Sequence, residues 1–235
     1  MKRFWDNVTL SRVEGGFTIL LDGKPMNLPT GTRLIVGPHP MAEAIATEWR
    51  EAGGGKGGEM SFSDTPLTRL AGTAQERITP DPLPTIDAIA RYGETDLLCY
   101  RAPSPRPLVA RQMREWQPWL DWAALTYDAP LRVGEGIGYV SQHKDSIAAL
   151  RRAVAELDVH ALAGLGIAVP ALGSLVLGLA LAAGALDAAK AHELGALEEL
   201  FEVEQWGEDH EGLARRQSVA RDIVLAERFI RLSRG

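Results

Sequence analysis

Between residues 198 and 211 the chain carries Glu198, Glu199, Glu202, Glu204, Glu208, Asp209 and Glu211, its densest group of side chains able to do chemistry. Two adjacent carboxylates such as Glu208 and Asp209 can act as general acid and base, provided a deep pocket raises the pKa of at least one of them. On a helix the same region reads differently. Glu198, Glu202, Gln205 and Asp209 recur at three- and four-residue intervals and form a stripe, while Leu194, Leu197 and Phe201 line another face. The plain reading is a solvated face balanced by Arg215, Arg216, Arg221, Arg228 and Arg231 of the next helix. Like charges stacked along one face cost stability, however, so the sharper reading is a docking surface for a partner of complementary charge. The candidate contact residues are Glu198, Glu199, Glu202, Glu208 and Asp209, with Trp206 as an aromatic anchor.

Other constellations do not assemble into a site. His39, His143, His160, His192 and His210 include no pair at the one-turn spacing that puts two imidazoles on one helix face, so no metal is expected. Cys99, within LeuLeuCysTyr, reads as a small buried thiol. Ser174 reads as part of an apolar helix and not as a nucleophile on a strand-to-helix elbow. The GlyGlyGlyLysGlyGly run at 53–58 has neither the hydroxyl residue after Lys56 nor the preceding strand that a phosphate loop needs. Gly164 and Gly166 are half of a dinucleotide fingerprint without its strand. No catalytic residue and no cofactor follow from these patterns.

The elements that must position the acids begin with an uncharged run at 161–186. It is long enough to cross a bilayer, yet it is built from Ala and Gly, contains Pro170, and lacks flanking Lys/Arg clusters and an aromatic belt. The expectation is a loop or short turn up to about Pro170 and then a buried helix from about Ala171 to Ala183, without membrane insertion. Small residues at Gly178, Ala182 and Ala183 allow close helix approach. A membrane-associated factor with 171–186 in lipid is the alternative.

A chain of 235 residues can bury a core without staples, and its one cysteine excludes an internal disulfide. It opens without a signal-peptide pattern, which reads as cytoplasmic. A net charge of −6 argues against general nucleic-acid binding. Strand patterns fill Arg3 to about Val36, with Asp22-Gly23 as a hairpin turn and MetAsnLeuPro and ArgLeuIleVal as further strands. A helix follows at Pro40–Arg50.

Beyond the connector at 79–85 nearly everything reads as helix: Ile86–Tyr92, Trp116–Tyr127 with Pro118 in its first turn, Lys144–Leu157, the apolar helix, Leu186–Trp206 and Glu211–Leu232. Glu211 to Arg215 and Glu227 to Arg231 have the favourable helical spacing. The fold class is α+β: a small N-terminal β-rich α/β domain at 1–80 followed by a larger orthogonal helical bundle at 81–235.

Seven segments together resemble a known family. They are PheTrpAspAsnVal at 4–8, LeuAspGlyLysPro at 21–25, IleAlaThrGluTrp at 45–49, ThrProLeuThrArgLeu at 65–70 with Thr73 and Ala74, ThrAspLeuLeuCysTyrArg at 95–101, TrpGlnProTrpLeuAspTrp at 116–122 and GluGlnTrpGlyGluAsp at 204–209. In this order they resemble the ATP synthase assembly chaperones that bind the alpha subunit of the catalytic head. The resemblance runs along essentially the whole chain. It implies a non-enzymatic, monomeric chaperone without a cofactor, which holds newly made alpha subunit until the beta subunit arrives. The family occurs in alphaproteobacteria and in mitochondria, so the implied compartment is the bacterial cytoplasm, or the mitochondrial matrix for eukaryotic relatives.

Overall fold

The computed structural model describes residues 2–234. The fold is α+β, with an antiparallel sheet near the N-terminus followed by helices. The chain forms two compact units. One takes the residues up to Pro82, Val159–Gly164 and the chain from Arg228 on; the other takes Leu83–Asp158 and Leu165–Glu227.

In the first unit, β1 (Val8–Val13) pairs antiparallel with β2 (Gly16–Leu21), and β3 (Lys24–Pro25) extends the sheet in the order β1-β2-β3. The register runs from Val8 opposite Leu21 to Val13 opposite Gly16. The β2–β3 turn is Asp22-Gly23, with φ of 48° and 78°, the left-handed pair that a two-residue hairpin requires. The Asp22 carboxylate accepts the Asn7 backbone N–H at 2.8 Å, which holds it below the usual aspartate range. Of the expected strands MetAsnLeuPro and ArgLeuIleVal, only isolated bridges form, Asn27 to Arg33 and Phe17 to Val36. Pro29 and Gly31 interrupt any longer ladder there.

Helix α1 (His39–Glu51) buries Met41, Ala42, Ile45, Ala46 and Trp49. The rings of Trp5 and Trp49 lie 4.9 Å apart, and the Trp5 indole donates to the Trp49 carbonyl at 3.0 Å. Arg3 closes the end of α1 by donating to the carbonyls of Arg50 and Ala52, where a cation also suits the helix dipole. The Glu48 carboxylate accepts the N–H groups of Leu67 and Thr68 at 2.6 and 3.0 Å, capping α2 (Pro66–Thr73). Burial nevertheless raises the Glu48 pKa above the usual glutamate range.

The second unit contains α3 (Leu83–Ala90), α4 (Arg106–Tyr127), α5 (Lys144–Ala155) and most of α6 (Val159–Leu172). It continues with α7 (Leu175–Ala183), α8 (Ala188–Gly195), α9 (Leu197–Trp206) and most of α10 (His210–Ser233). A short parallel pair, β4 (Tyr100–Arg101) with β5 (Gly134–Glu135), lies between the helices in sequence. Its core includes Leu98, Cys99, Trp116, Leu120, Leu172, Leu177, Phe201 and Ile223. The Trp116 indole donates to the Leu194 carbonyl at 3.0 Å. Cys99 is buried, which pushes its thiol up to about 12.

Four features of the helices also differ from the sequence expectation. The stretch before Pro170 is helical, and the break falls at Gly173 (φ 63°), a conformation that favours glycine. Pro170 lies two residues before the end of α6 on an exposed face, so the Gly166 carbonyl it leaves unbonded can reach water. Ser174 is not inside a helix but is the N-cap of α7, its hydroxyl accepting the Leu177 N–H at 3.1 Å. Pro118 lies within α4, which begins ten residues before Trp116, at Arg106. Pro118 is on an exposed face, so the carbonyl it leaves unbonded can reach water. Finally, Leu186–Trp206 is two helices, α8 and α9, broken at Ala196.

Among the described residues no helix is long and apolar enough to cross a membrane. Leu175, Leu177 and Leu181 are at most 3% exposed. A Cβ on Gly178 would stand 2.4 Å from Val169 Cγ2, so the expected close helix approach is that of α7 to α6.

Candidate partner-binding site

The acidic segment is α9 and the turn that leads into α10. Its apolar side is buried through Leu197 and Phe201, with Leu194 of α8 beside them, as the spacing implies. Its polar side is not a uniform field of solvated acids. Glu199 and Glu208 converge on Arg216 of α10, whose side chain is only 7% exposed. The Arg216 guanidinium donates to Glu199 at 2.6 Å and, through its other nitrogen, to Glu208. Arg215 meets the same Glu199 oxygen at 2.8 Å, so within the described residues its partner lies on α9 and not at Glu211. These contacts tie the end of α9 to α10 with a nearly buried cation at their centre.

Helix α4 supplies a second set of partners. Arg111 grips Glu204 with two parallel bonds of 2.7 Å and lies over the Phe201 ring, 5.2 Å from its centre. Hydrogen bonding from Arg111 lowers the Glu204 pKa. The Gln112 amide donates to Glu198. Partial burial raises the Glu198 pKa despite that bond. Asp209 accepts the Gly212 N–H at 2.7 Å and so caps α10, which lowers its pKa.

Of the six candidate residues, four are therefore engaged within the molecule: Glu198 with Gln112, Glu199 and Glu208 with Arg216, and Asp209 with the start of α10. Glu202 and Trp206 differ. Both are exposed, Trp206 at 87%, and among the described residues Glu202 makes no hydrogen bond or ion pair. They lie four residues apart on α9 and so share a face. An exposed indole beside an unpaired carboxylate can fill an apolar pocket on a partner and meet a cation at its rim.

Sequence reasoning missed Arg111 and Gln112, which stand 93 and 86 residues from their acidic partners. No local pattern marks such pairs. It did include Arg216 among the balancing arginines, but without its central place.

Comparison with known proteins agrees with this architecture. The family model described as ATP12 chaperone protein matches residues 2–124. The crystal structure of Atp12 from Paracoccus denitrificans superposes with a TM-score of 0.93 at 38% identity, covering 99% of this chain and 98% of that one. A point mutant of the Paracoccus protein gives the same TM-score and identity, covering 99% and 97%. A chaperone-like protein from Agrobacterium tumefaciens gives a TM-score of 0.87 at 36% identity, covering 97% and 85%. The chain belongs to the ATP12 chaperone family, the ATP synthase assembly chaperones that its seven motifs resemble.

Proposed function

We propose that this chain binds the unassembled alpha subunit of ATP synthase through the exposed face of α9 and keeps it from aggregating until the beta subunit arrives. It acts in the cytoplasm as a monomer, without catalysis. The observation that carries the reading is Trp206, 87% exposed on a helix whose neighbouring acids are held by internal arginines. A soluble protein leaves a large indole in water at some cost, which is offset when the indole serves as an anchor. Glu202 is the carboxylate on that face left free to meet a cation, and Glu198, Glu199, Glu208 and Asp209 set the surrounding negative field and hold the helix in place. A contact of standard size, roughly 1,600 Å² in total with few hot spots, can be displaced when a better-matched subunit competes. Neither binding nor release requires nucleotide hydrolysis.

An acid–base enzyme using Glu208 and Asp209 is disfavoured by their surroundings. Glu208 is bonded to Arg216, and Asp209 has a lowered pKa, whereas a general acid at neutral pH needs a raised one.

The test is light scattering of purified alpha subunit as it is warmed, with and without this chain. The parent and Arg221→Gln should suppress aggregation, and Trp206→Ala should lose most of that effect while melting like the parent. Equal suppression by Trp206→Ala would remove the α9 face from the reading.

A further inference from the structure

The first unit carries an apolar trough that the α9 contact does not use. A cleft of about 420 Å³ is walled by Phe4, Met26, Leu28, Pro29, Trp49 and Phe62. It continues, through Leu28, Pro29, Phe62 and Thr68, into a second cleft reaching Arg69, Gly72 and Arg77. Phe4 and Phe62 stand on its rim, 63% and 58% exposed. Phe62 is presented by a tight turn in which the Ser61 backbone N–H donates to the Asp64 carboxylate at 2.8 Å, so its exposure is built into the local fold.

The polar groups of the floor are already satisfied. The Trp49 indole donates to the Thr68 hydroxyl at 2.8 Å, and that hydroxyl donates to Glu48. The wall's backbone is also bonded, since the Met26 N–H donates to the Ile19 carbonyl, the Met26 carbonyl accepts from Leu34, and the Leu28 N–H donates to the Thr32 carbonyl. The trough therefore has little backbone to offer an added strand, and it recognises apolar side chains. Its charged rim is mainly cationic, with three basic side chains to one acid. Lys24, Arg69 and Arg77 are exposed and make no ion pair among the described residues. The one acid there, Glu76, is held by the hydroxyls of Thr30 and Thr32.

We propose that this trough is a second client site, which takes an extended peptide segment with an apolar core and acidic flanks. The apolar side chains seat between Phe4 and Phe62, and the flanking carboxylates meet Lys24, Arg69 and Arg77. An apolar segment left exposed on an unassembled subunit invites aggregation. The proposal goes beyond the α9 contact and stands without it.

Fluorescence anisotropy of two dye-labelled peptides against the full chain tests it. Both have a Leu-Phe-Leu core; one is flanked by glutamates and the other by lysines. The acidic peptide should bind roughly tenfold more tightly than the basic one. Phe62→Ser should weaken it by roughly tenfold, with Phe4→Ser as a second rim variant should the first melt early. Lys24→Glu combined with Arg69→Glu should narrow or reverse the preference between peptides. Glu202→Gln should leave peptide binding unchanged even where it impairs alpha-subunit capture, so the two sites fail separately. Equal affinity for the two peptides, or peptide binding indifferent to both rim variants, would overturn the assignment. So would a peptide-free dimer, seen by sedimentation, that Phe62→Ser dissolves, because the occupant would then be a second copy.

Discussion

Neutralising Glu199 separates the acids that hold α9 in place from those free to meet a partner. The Glu199 carboxylate holds Arg216 at 2.6 Å and Arg215 at 2.8 Å, and Arg216 is the nearly buried one, 7% exposed. In Glu199→Gln the amide oxygen can keep a hydrogen bond but not the charge, which leaves Arg216 paired with Glu208 alone. A hydrogen bond to a charged group contributes about 1.5–3 kcal/mol, and removing one partner of a buried pair costs at least that much. Because Glu199 is itself 30% exposed, solvent screens part of the loss. The net cost is about 1–2 kcal/mol, discounted for that screening. For a chain of 235 residues this lowers Tm by about 2–8 °C. Glu202→Gln breaks no internal bond and should leave Tm within about 1 °C of the parent while weakening alpha-subunit capture. Differential scanning calorimetry of both variants at neutral pH, together with the light-scattering assay, reads the contrast. If Glu199→Gln melts with the parent, the Arg216 knot does not fasten α9 to α10. If Glu202→Gln captures the subunit normally, the exposed carboxylate is not part of the contact.

Gly178→Ala should destabilise the second unit, because the new methyl would stand 2.4 Å from Val169 Cγ2. The overpacking cost of about 1–3 kcal/mol exceeds the helix-propensity gain of roughly 1 kcal/mol, and Val169→Ala in the same chain should restore part of the loss in urea unfolding. Asp96 is fully buried and accepts the N–H groups of Leu98 and Val176 at 3.0 and 2.9 Å, yet burial raises its pKa from 3.8 to about 6. Between those values the folded chain binds a proton that the unfolded chain has lost, so this group's contribution to stability falls as pH rises from about 4 to about 6. The span corresponds to about 3 kcal/mol. Asp96→Asn should flatten that part of the stability–pH curve, measured by urea unfolding at several pH values, and an unchanged slope would show that Asp96 does not titrate there.

The Asp22-Gly23 turn and the buried face of α1 were legible in the sequence because each follows from neighbours within one turn or one helix face. The same holds for Leu194, Leu197 and Phe201, whose spacing alone sets which side of the acidic segment is buried. Family membership was legible too, since it rests on the order of short motifs. Where elements break was not. Gly173 and Ser174 divide a pattern that reads as one helix, and Asp96 helps cap α7 there from a position 80 residues from Val176; Ala196 divides another such pattern. The proposed binding face divides along the same line. The sequence by itself determined that α9 would be amphipathic and acid-rich, since charge and helical periodicity are local properties. Only the tertiary structure decided which acids are free, because Arg111, Gln112 and Arg216 reach theirs by folding, and an ion pair is set by distance in space and not by separation along the chain.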